Sequence, residues 1–346
     1  MTVLSSNDDD RTRYYSVIGE KNLTPLWEVL HSLVPAHPRP SIVPAIWNYS
    51  ALRNIILRSG SLISASEAER RVLILENPGV RGHSRITQSL YAGFQLILPG
   101  EVAPAHRHSQ SALRLVLDGE GAYTAVNGER TTMKRGDFII TPAMTWHDHG
   151  NTGDEPVVWL DGLDIPLVQS LDAGFAEKAT VQTQIEERAE GEALRRYGKN
   201  MVPLDFFQSS SDPTPVFVYP YSQTRTALLE LDGSAIDPWH GHAFRFVNPS
   251  TGASPMPTIG AFVRRLRSGF EARPYRSTDS AVFVCLEGEG TALIGEQKFS
   301  FSRGDVLVVP SWSVHQFRAS SDAILFSFSD RPVQRVLGLW REEKLS

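Results

Sequence analysis

An internal repeat limits what this chain of 346 residues can fold into. The segment "RGDFIITP" (135–142) is matched by "RGDVLVVP" (303–310), and "LDGEG" and "LEGEG" precede them. The offset between the copies shrinks only from 171 to 168 residues, ending at His147 and His315, so the copies align almost without gaps. A repeat of this length predicts two tandem domains of one fold.

Each copy consists of short β-type runs separated by glycine-centred turns. Examples are "GFQLILPGE", "ALRLVLDGEGAYTAVNGE" and "GDFIITPAMTWHDHG". Asn127-Gly128, between two alternating runs, indicates a tight hairpin. Short, evenly spaced strands favour a sandwich or barrel over a parallel βαβ fold.

Two segments show a helical pattern outside the repeat. In residues 24–34, Thr24 and Pro25 are expected to start a helix that carries an apolar stripe. Residues 184–200 have acidic residues early and basic residues late, in the order that the helix dipole favours. The predicted organisation is 1–75 as a helical and extended segment, 76–170 as the first barrel, 171–245 as a linker with a helix, and 246–335 as the second barrel.

Composition excludes several classes of protein. The formal net charge is −5 and no dense basic run occurs, which argues against nucleic-acid binding. No stretch approaches the roughly 20 apolar residues of a membrane span, and the N-terminus has no apolar signal core. The single cysteine, Cys285, lies in a run typical of a buried strand, and one cysteine cannot form an intramolecular disulfide. A cytoplasmic protein without membrane or nucleic-acid partners is expected.

Histidines in the first repeat suggest a metal site. If residues 104–117 form one strand, His106, His108, Gln110, Ala112 and Arg114 share one face, while Leu113, Leu115 and Leu117 share the other. A His-x-His pair on a strand, with a third histidine on a neighbouring strand, is a common way to build a facial metal site. The pair His240-Gly241-His242 has no matching third histidine, and a loop is expected there.

Arg114 is the other unusual residue on that face. A guanidinium inside a barrel is costly unless it is paired, and no carboxylate lies on its own strand face. A substrate carboxylate would satisfy it, and the alternative is an internal ion pair with an acid elsewhere. In the second repeat Phe283 takes the place of Arg114, and Tyr275 and Ser277 take the places of His106 and His108. The second domain is therefore expected to be structural.

The spacing of these residues resembles the two cupin motifs, with Ala112 in place of the usual glutamate ligand and Met144 in place of a glycine. Long blocks of the chain further resemble the gentisate 1,2-dioxygenases, a bicupin ring-cleaving family that includes salicylate and 1-hydroxy-2-naphthoate dioxygenases. The blocks are "PLWEVL", "RRVLILENPG", "ITQSLYAGFQLILPGEVAPAHRHSQSALR", "TWHDHGN", "WLDGLDIP", "VNPSTG" and "VVPSWSVHQF". The resemblance implies two tandem jelly-roll barrels in a mostly β chain, with helical segments before and between them.

The resemblance also implies an activity and a site. It implies Fe(II), held by His106, His108 and His147, and cleavage of gentisate by O2 to maleylpyruvate in a homotetramer. Arg114 and Arg70 would bind the substrate carboxylate, although Arg71 adjoins Arg70, and His149 would lie near substrate and oxygen. Further active-site positions are implied for Gln95, Gln110 and Asp161.

Other functions remain open at this point. The substrate of such a dioxygenase could instead be salicylate or 1-hydroxy-2-naphthoate. A non-oxidative metal cupin, such as an isomerase or decarboxylase, would also hold a metal in a barrel. A non-catalytic bicupin would have lost its ligands in both halves, whereas this chain keeps three histidines in one half.

Overall fold

The computed structural model describes residues 5–199, 201–204, 206 and 213–346. The chain divides into two compact units, Met1–Arg39 and Pro40–Ser346. The first unit contains α1 (Ser5–Glu20) and α2 (Leu26–Leu33). The helix predicted from Thr24 begins at Leu26 instead, because Pro25 keeps an extended backbone and takes the N-cap position. The leucines of the predicted stripe are exposed, at 54% for Leu26 and 64% for Leu33.

The second unit is dominated by antiparallel strands. Its helices are α3 (Tyr49–Leu62), α4 (Ala65–Ala68), α5 (Ile165–Ser170), α6 (Glu192–Tyr197), α7 (Tyr221–Glu230) and α8 (Arg331–Val336), with a 3₁₀ turn at Pro78–Val80. Its strands up to the middle of the chain are β1 (Ala45–Trp47), β2 (Val72–Ile74), β3 (Tyr91–Ile97), β4 (Val102–His108), β5 (Ala112–Asp118), β6 (Ala122–Val126), β7 (Glu129–Thr132), β8 (Phe138–Thr141), β9 (His147–Asn151), β10 (Val157–Leu163) and β11 (Ala176–Lys178). The remaining strands are β12 (Val218–Tyr219), β13 (His242–Arg245), β14 (Gly260–Leu266), β15 (Tyr275–Ser277), β16 (Ala281–Glu287), β17 (Glu289–Ile294), β18 (Gln297–Ser302), β19 (Val306–Val309), β20 (His315–Ala319), β21 (Ala323–Ser329) and β22 (Glu342–Lys344).

These strands form two double-sheet barrels, which confirms the predicted bicupin fold. The first barrel pairs the sheet β12-β8-β5-β10-β3-β2 with the sheet β11-β4-β9-β6-β7. The second pairs β1-β19-β16-β21-β14-β13 with β18-β17-β20-β15-β22. The hairpin predicted at Asn127-Gly128 joins β6 and β7, and both residues have positive φ, as a two-residue hairpin turn requires.

Each barrel is completed by a strand from outside its own repeat. Strand β1, from the N-terminal segment, pairs with β19 of the second barrel, and β12, from the linker, pairs with β8 of the first. Equivalent hydrogen bonds hold the residues that follow these two added strands. The Tyr49 amide donates to Asp305 at 2.8 Å, and the Tyr221 amide donates to Asp137 at 2.8 Å. The segment predicted at 1–75 and the predicted linker at 171–245 therefore also supply strands to the barrels.

The two barrels share a hydrophobic core. Leu113, Leu115 and Leu117 of β5 point away from the first barrel's interior and cluster with Phe326 and Phe328 of the second barrel. This confirms that the leucine face packs against a neighbouring layer, and the layer is the other barrel.

The linker contains less helix than the sequence predicts. Over 184–200 only α6 is helical, because Gly191 has φ +77°, which breaks the helix before Glu192. The preceding stretch runs along the first barrel, where the Gln184 amide donates to Asp148 and the Glu187 amide donates to the Gly128 carbonyl. Residue 200 lies outside the described residues.

Two expectations from composition can be compared with the structure. Cys285 is a free thiol in β16 with no exposed area, and burial raises its pKa to about 12. Among the described residues, no helix combines the length and the apolar character needed to cross a membrane.

Candidate metal centre

Three histidines meet between two strands of the first barrel. His106 and His108 lie on β4, and His147 begins β9, directly opposite His106 in the strand register. Their candidate ligand nitrogens all lie within 4.8 Å of one another. The ring centroids of His106 and His147 are 4.0 Å apart. No other group of three such ligands occurs among the residues that the structure describes.

Backbone carbonyls orient all three imidazoles. Nδ1 of His106 lies 3.0 Å from the Pro104 carbonyl, Nδ1 of His108 lies 2.8 Å from that of Gln110, and Nδ1 of His147 lies 2.8 Å from that of Thr145. Since a carbonyl only accepts, each Nδ1 donates and each Nε2 presents a lone pair, which in His106 faces Nη2 of Arg70 at 2.8 Å. Nε2 of His147 is buried with no hydrogen-bond partner. This donor set fits a divalent metal ion.

Burial keeps these imidazoles neutral. It lowers the pKa of His106 to about 3 and that of His108 to about 4, and it lowers the pKa of His147 well below its usual value. The positive charge of Arg114 lowers all three pKa values further. No proton therefore competes with a metal at neutral pH.

The chain turns a corner between these histidines and Arg114. The single strand predicted here is wrong, because β4 ends at His108 and β5 begins at Ala112 in the opposite sheet. A barrel closes by such corners, so the residues converge across its interior and not along one strand. Gln110 lies in the corner, where its backbone carbonyl accepts from His108. The active-site role implied for its side chain stays a prediction.

Arg114 projects into the first barrel and is 4% exposed. Its Nη1 donates to Oγ1 of Thr141 at 2.6 Å, while its Nε is sealed from solvent without a hydrogen-bond partner. Burial lowers its pKa to about 10, so the guanidinium remains charged at neutral pH.

An acid does face Arg114, which is the alternative that the sequence left open beside a substrate carboxylate. Oδ1 of Asp161, on the adjacent strand β10, lies 3.6 Å from the Arg114 Nε, beyond hydrogen-bond distance. The same oxygen accepts from Nε1 of Trp159 at 2.9 Å. Burial raises the pKa of Asp161 to about 6, although Arg114 opposes that shift. The internal ion pair is therefore present, and it leaves the Arg114 Nε–H without an acceptor.

The structure distinguishes the two adjacent arginines, Arg70 and Arg71. Arg71 is buried and forms a two-pronged ion pair with Glu101, at 2.7 and 3.0 Å. Nη2 of Arg70 lies 2.6 Å from Nδ1 and 2.8 Å from Nε2 of His106. Arg70 is therefore the arginine that reaches the histidine cluster.

His149 adjoins the cluster without joining it. Its ring centroid is 5.5 Å from that of His147, two residues earlier on β9. Its Nδ1 lies 3.0 Å from Oγ1 of Thr124, and its buried Nε2 has no partner. Burial holds its pKa well below the usual value, so the ring is neutral. A neutral imidazole with a free Nε2 can exchange a hydrogen bond with a ligand.

Gln95 also faces the interior of the first barrel. It is 3% exposed on β3, on the same face as Ile97 and opposite Trp159 of β10. Sequence reasoning did not single out Thr141 and Thr124, which contact Arg114 and His149. One signal was available: Thr141 is polar where the matching position of the second repeat, Val309, is apolar.

Comparison with known proteins is consistent with this geometry. A cupin-domain family model matches residues 93–163 and 262–328. The chain is 50% identical over 336 residues to gentisate 1,2-dioxygenase 1 of Aquipseudomonas alcaligenes, covering 97% of this chain and 96% of that protein. The chain belongs to the gentisate 1,2-dioxygenase family. It is accordingly a ring-cleaving dioxygenase, as the sequence blocks predicted.

More distant members of this family cover the chain equally well. A gentisate 1,2-dioxygenase of Streptomyces sp is 38% identical, covering 99% of both chains. The fold superposes on a crystal structure of salicylate 1,2-dioxygenase from Pseudoaminobacter salicylatoxidans, an adduct with gentisate. The TM-score is 0.92 at 36% identity, covering 97% of this chain and 94% of that one.

The second barrel retains one histidine of the three. His315 lies opposite Tyr275 in the strand register, as His147 lies opposite His106. Its Nδ1 lies 3.2 Å from the Ser313 carbonyl, repeating the orientation of His147. Tyr275 and Ser277 stand at the positions of His106 and His108, and no group of three candidate histidine, cysteine or carboxylate ligands lies in this barrel among the described residues.

Proposed function

We propose that the chain uses Fe(II) and O2 to open the ring of gentisate (2,5-dihydroxybenzoate), giving maleylpyruvate. The bond that breaks joins the carboxyl-bearing and hydroxyl-bearing ring carbons, and both oxygen atoms enter the product, so no reductant is consumed. The observation that carries this proposal is the group of three neutral histidines with two arginines, Arg70 and Arg114, beside it.

The ligand set supports a metal that keeps its full charge. Alanine, and not glutamate, stands at position 112, so His106, His108 and His147 would hold the ion with three neutral nitrogens. Such a site leaves open positions for an anionic substrate and for dioxygen. When bound, Fe(II) supplies electron transfer between an electron-rich ring and O2.

Two cations would bind and orient the substrate carboxylate. The Arg114 Nε–H has no acceptor, and the guanidinium is held in place by Thr141 and Asp161. The Arg70 guanidinium contacts the ring of His106. A carboxylate between them would receive charge-assisted hydrogen bonds in a site that excludes water.

His149 would exchange a proton or a hydrogen bond with the substrate or the product. Thr124 fixes its ring through Nδ1, and the free Nε2 is buried. Asp161 acts through Arg114, because it contacts that side chain and Trp159. Gln95 is a further candidate for contact with substrate, since it faces the same interior.

We further propose that the chain works as a homotetramer in the cytoplasm. The exposed apolar residues of α2 support association, since isolated chains seldom leave such stripes in water. The single, buried cysteine supports a reducing compartment. Sedimentation analysis of the purified chain would measure its assembly state.

Oxygen uptake tests the reaction. The purified chain is loaded with Fe(II) without air, and gentisate and ¹⁸O₂ are then added. One O2 consumed per gentisate, with both labelled atoms in the product, is the expected result. Turnover without oxygen consumption would instead favour a non-oxidative cupin, such as an isomerase or decarboxylase.

The same assay separates the possible substrates. Salicylate and 1-hydroxy-2-naphthoate share the carboxyl and ortho-hydroxyl groups of gentisate but lack its 5-hydroxyl. We expect gentisate to have the highest kcat/KM of the three. A higher value for either of the others would reassign the chain to another branch of the family.

A further inference from the structure

The second barrel encloses a cavity that the metal centre does not explain. Its volume is about 270 Å³, and its walls include His240, Arg264, Tyr275, Phe283, His315 and Arg331. Exposed Phe244 and Arg245 of the edge strand β13 also line it, so the cavity reaches the surface. We call it the second-barrel cavity.

An unpaired guanidinium lies in this cavity. The Nε of Arg264, on β14, is sealed from solvent without a hydrogen-bond partner. Within the described part of the chain, the Arg264 side chain forms no ion pair and donates no hydrogen bond. Burial lowers its pKa to about 10, so it remains charged at neutral pH. A half-buried charge whose Nε is sealed from solvent without a partner is costly and needs a reason.

The acid that lines the cavity, Asp279, is already engaged. Asp279 accepts from Nε of Arg331 at 3.1 Å and from Nε1 of Trp340 at 2.8 Å. Arg331 and Asp279 thus neutralise each other, and Arg264 and the exposed Arg245 each add one positive charge. At the position of Asp161 in the first barrel, the second barrel has Ser327, which carries no charge.

Aromatic rings lie near this guanidinium but provide no anionic partner. The Cζ of Arg264 lies 4.9 Å from the ring centroid of Phe283 and 5.9 Å from that of Phe317. Cation–π contact is made through the plane of the group, whereas its N–H donors point outward along the edge. Those donors are suited to a carboxylate in a fork geometry.

The interior arginine lies on non-equivalent strands in the two barrels. In the first barrel Arg114 lies on β5 and Gln95 on β3, and these strands flank β10. In the second barrel the matching positions are Phe283 and Arg264, so the cation has moved to the other flanking strand. An arginine that served only the fold would not be expected at two different positions of one architecture.

Neutral polar groups complete the lining. Burial lowers the pKa of His240 to about 3 and that of His315 to about 4, so neither adds charge at neutral pH. Nδ1 of His240 is buried with no hydrogen-bond partner. A cavity slightly below the roughly 300–1,000 Å³ of drug-sized pockets suits a ligand with a single ring.

We propose that the second-barrel cavity binds one small aromatic carboxylate, with the carboxylate on Arg264 and the ring against Phe283. The occupant is a ligand and not a substrate, since no group of three metal ligands lies in this barrel among the described residues. The proposal does not depend on the reaction proposed for the first barrel.

Crystals soaked with 4-bromobenzoate test this directly, because anomalous scattering locates the bromine in one barrel or the other. A bromine peak in the second-barrel cavity of the wild-type chain is expected. In Arg264→Gln, which places there the residue type of Gln95, the peak should vanish. Calorimetric titration should show this binding weakened by at least about tenfold, the loss of one charge-assisted pair.

Two controls keep the result interpretable. Arg267→Gln removes an exposed arginine near the same strand, which pairs with Asp232, and should leave the bromine peak in place. Arg264→Gln removes a half-buried charge that has no ion-pair partner, so its melting temperature should equal or exceed that of the wild type. The absence of bromine from the second-barrel cavity in the wild type, or equal affinity in Arg264→Gln, would overturn the proposal.

Discussion

Replacing Arg114 by methionine tests the centre of the proposed mechanism. The substitution keeps the length and apolar bulk of a side chain that is 4% exposed, and it removes the charge and the N–H donors. It deletes the hydrogen bond to Thr141 and the contact with Asp161. If the unpaired Nε–H serves a substrate carboxylate, the variant should fold and bind metal but lose catalytic efficiency.

The contacts of Arg114 give the expected size of the loss in kcat/KM and of the change at Asp161. Losing a charge-assisted pair to a desolvated carboxylate costs about 2–5 kcal/mol, which is about 30- to 5,000-fold in kcat/KM. The Arg114–Asp161 contact at 3.6 Å contributes an attraction of about 5 kcal/mol at an effective dielectric constant of about 20, before desolvation. Without the arginine, the pKa of Asp161 should rise above its present value of about 6, so the acid takes up a proton and does not remain a buried charge.

Activity and stability are therefore measured on the same variants. Oxygen uptake gives kcat/KM with gentisate, and hydroquinone, which lacks the carboxylate, serves as the matched control whose poor turnover should barely change. The double variant Arg114→Met with Asp161→Asn removes both charges. We expect it to recover most of any stability lost in Arg114→Met, as measured by urea unfolding, but none of the lost kcat/KM.

Two results would refute the proposal that Arg114 binds the substrate carboxylate. If the double variant recovers both stability and kcat/KM with gentisate, Arg114 serves the fold through Asp161 and does not bind substrate. An equal loss with gentisate and hydroquinone would lead to the same conclusion.

Four further results are expected. His147→Ala should abolish bound metal, whereas His83→Ala, an exposed control, should keep about one ion per chain by elemental analysis. His149→Ala should keep its metal yet lose roughly 10²- to 10⁴-fold in kcat, the range for a positioned acid–base group; metal loss equal to that of His147→Ala would make it a ligand. Phe328→Ala, which empties a fully buried site between the barrels, should lower the free energy of unfolding by about 3–5 kcal/mol in urea titrations. Burial raises the pKa of Asp330 to about 6, so the folded state binds this proton more tightly than the unfolded state, and the contribution of Asp330 to wild-type stability should fall as the pH rises from 4 to 6. Asp330→Asn lacks that loss, so its stability relative to wild type should rise on the order of 3 kcal/mol across this window; a constant difference would contradict the shifted pKa.

The domain plan and the histidine positions followed from local patterns. Strand alternation and turn residues act over a few positions, and the internal repeat supplied a second copy against which each position could be compared. The difference between His106 and Tyr275, or between Arg114 and Phe283, can be read from the sequence without coordinates. These comparisons singled out the metal site in one half of the chain.

The path of the chain around the site could not be predicted in this way. The single strand expected through Gln110 turns a corner, because closing a barrel requires the chain to pass between sheets. The helix predicted over 184–200 is reduced to α6, because contacts of Gln184 with the first barrel and the positive φ of Gly191 override helical propensity. Neither the contacts of Gln184 nor the backbone conformation of Gly191 can be predicted from the helical periodicity of the sequence.

What the sequence by itself determined was the fold class, the two-barrel organisation and the three histidines, since short motifs and their comparison between the two repeats mark each of them. Only the tertiary structure decided which acid faces Arg114, which arginine reaches His106, and that Arg264 stands unpaired in a cavity. These contacts join residues tens of positions apart on strands that meet only when a barrel closes. Their energies depend on burial, which no local pattern specifies, because burial is a property of everything that packs around a side chain.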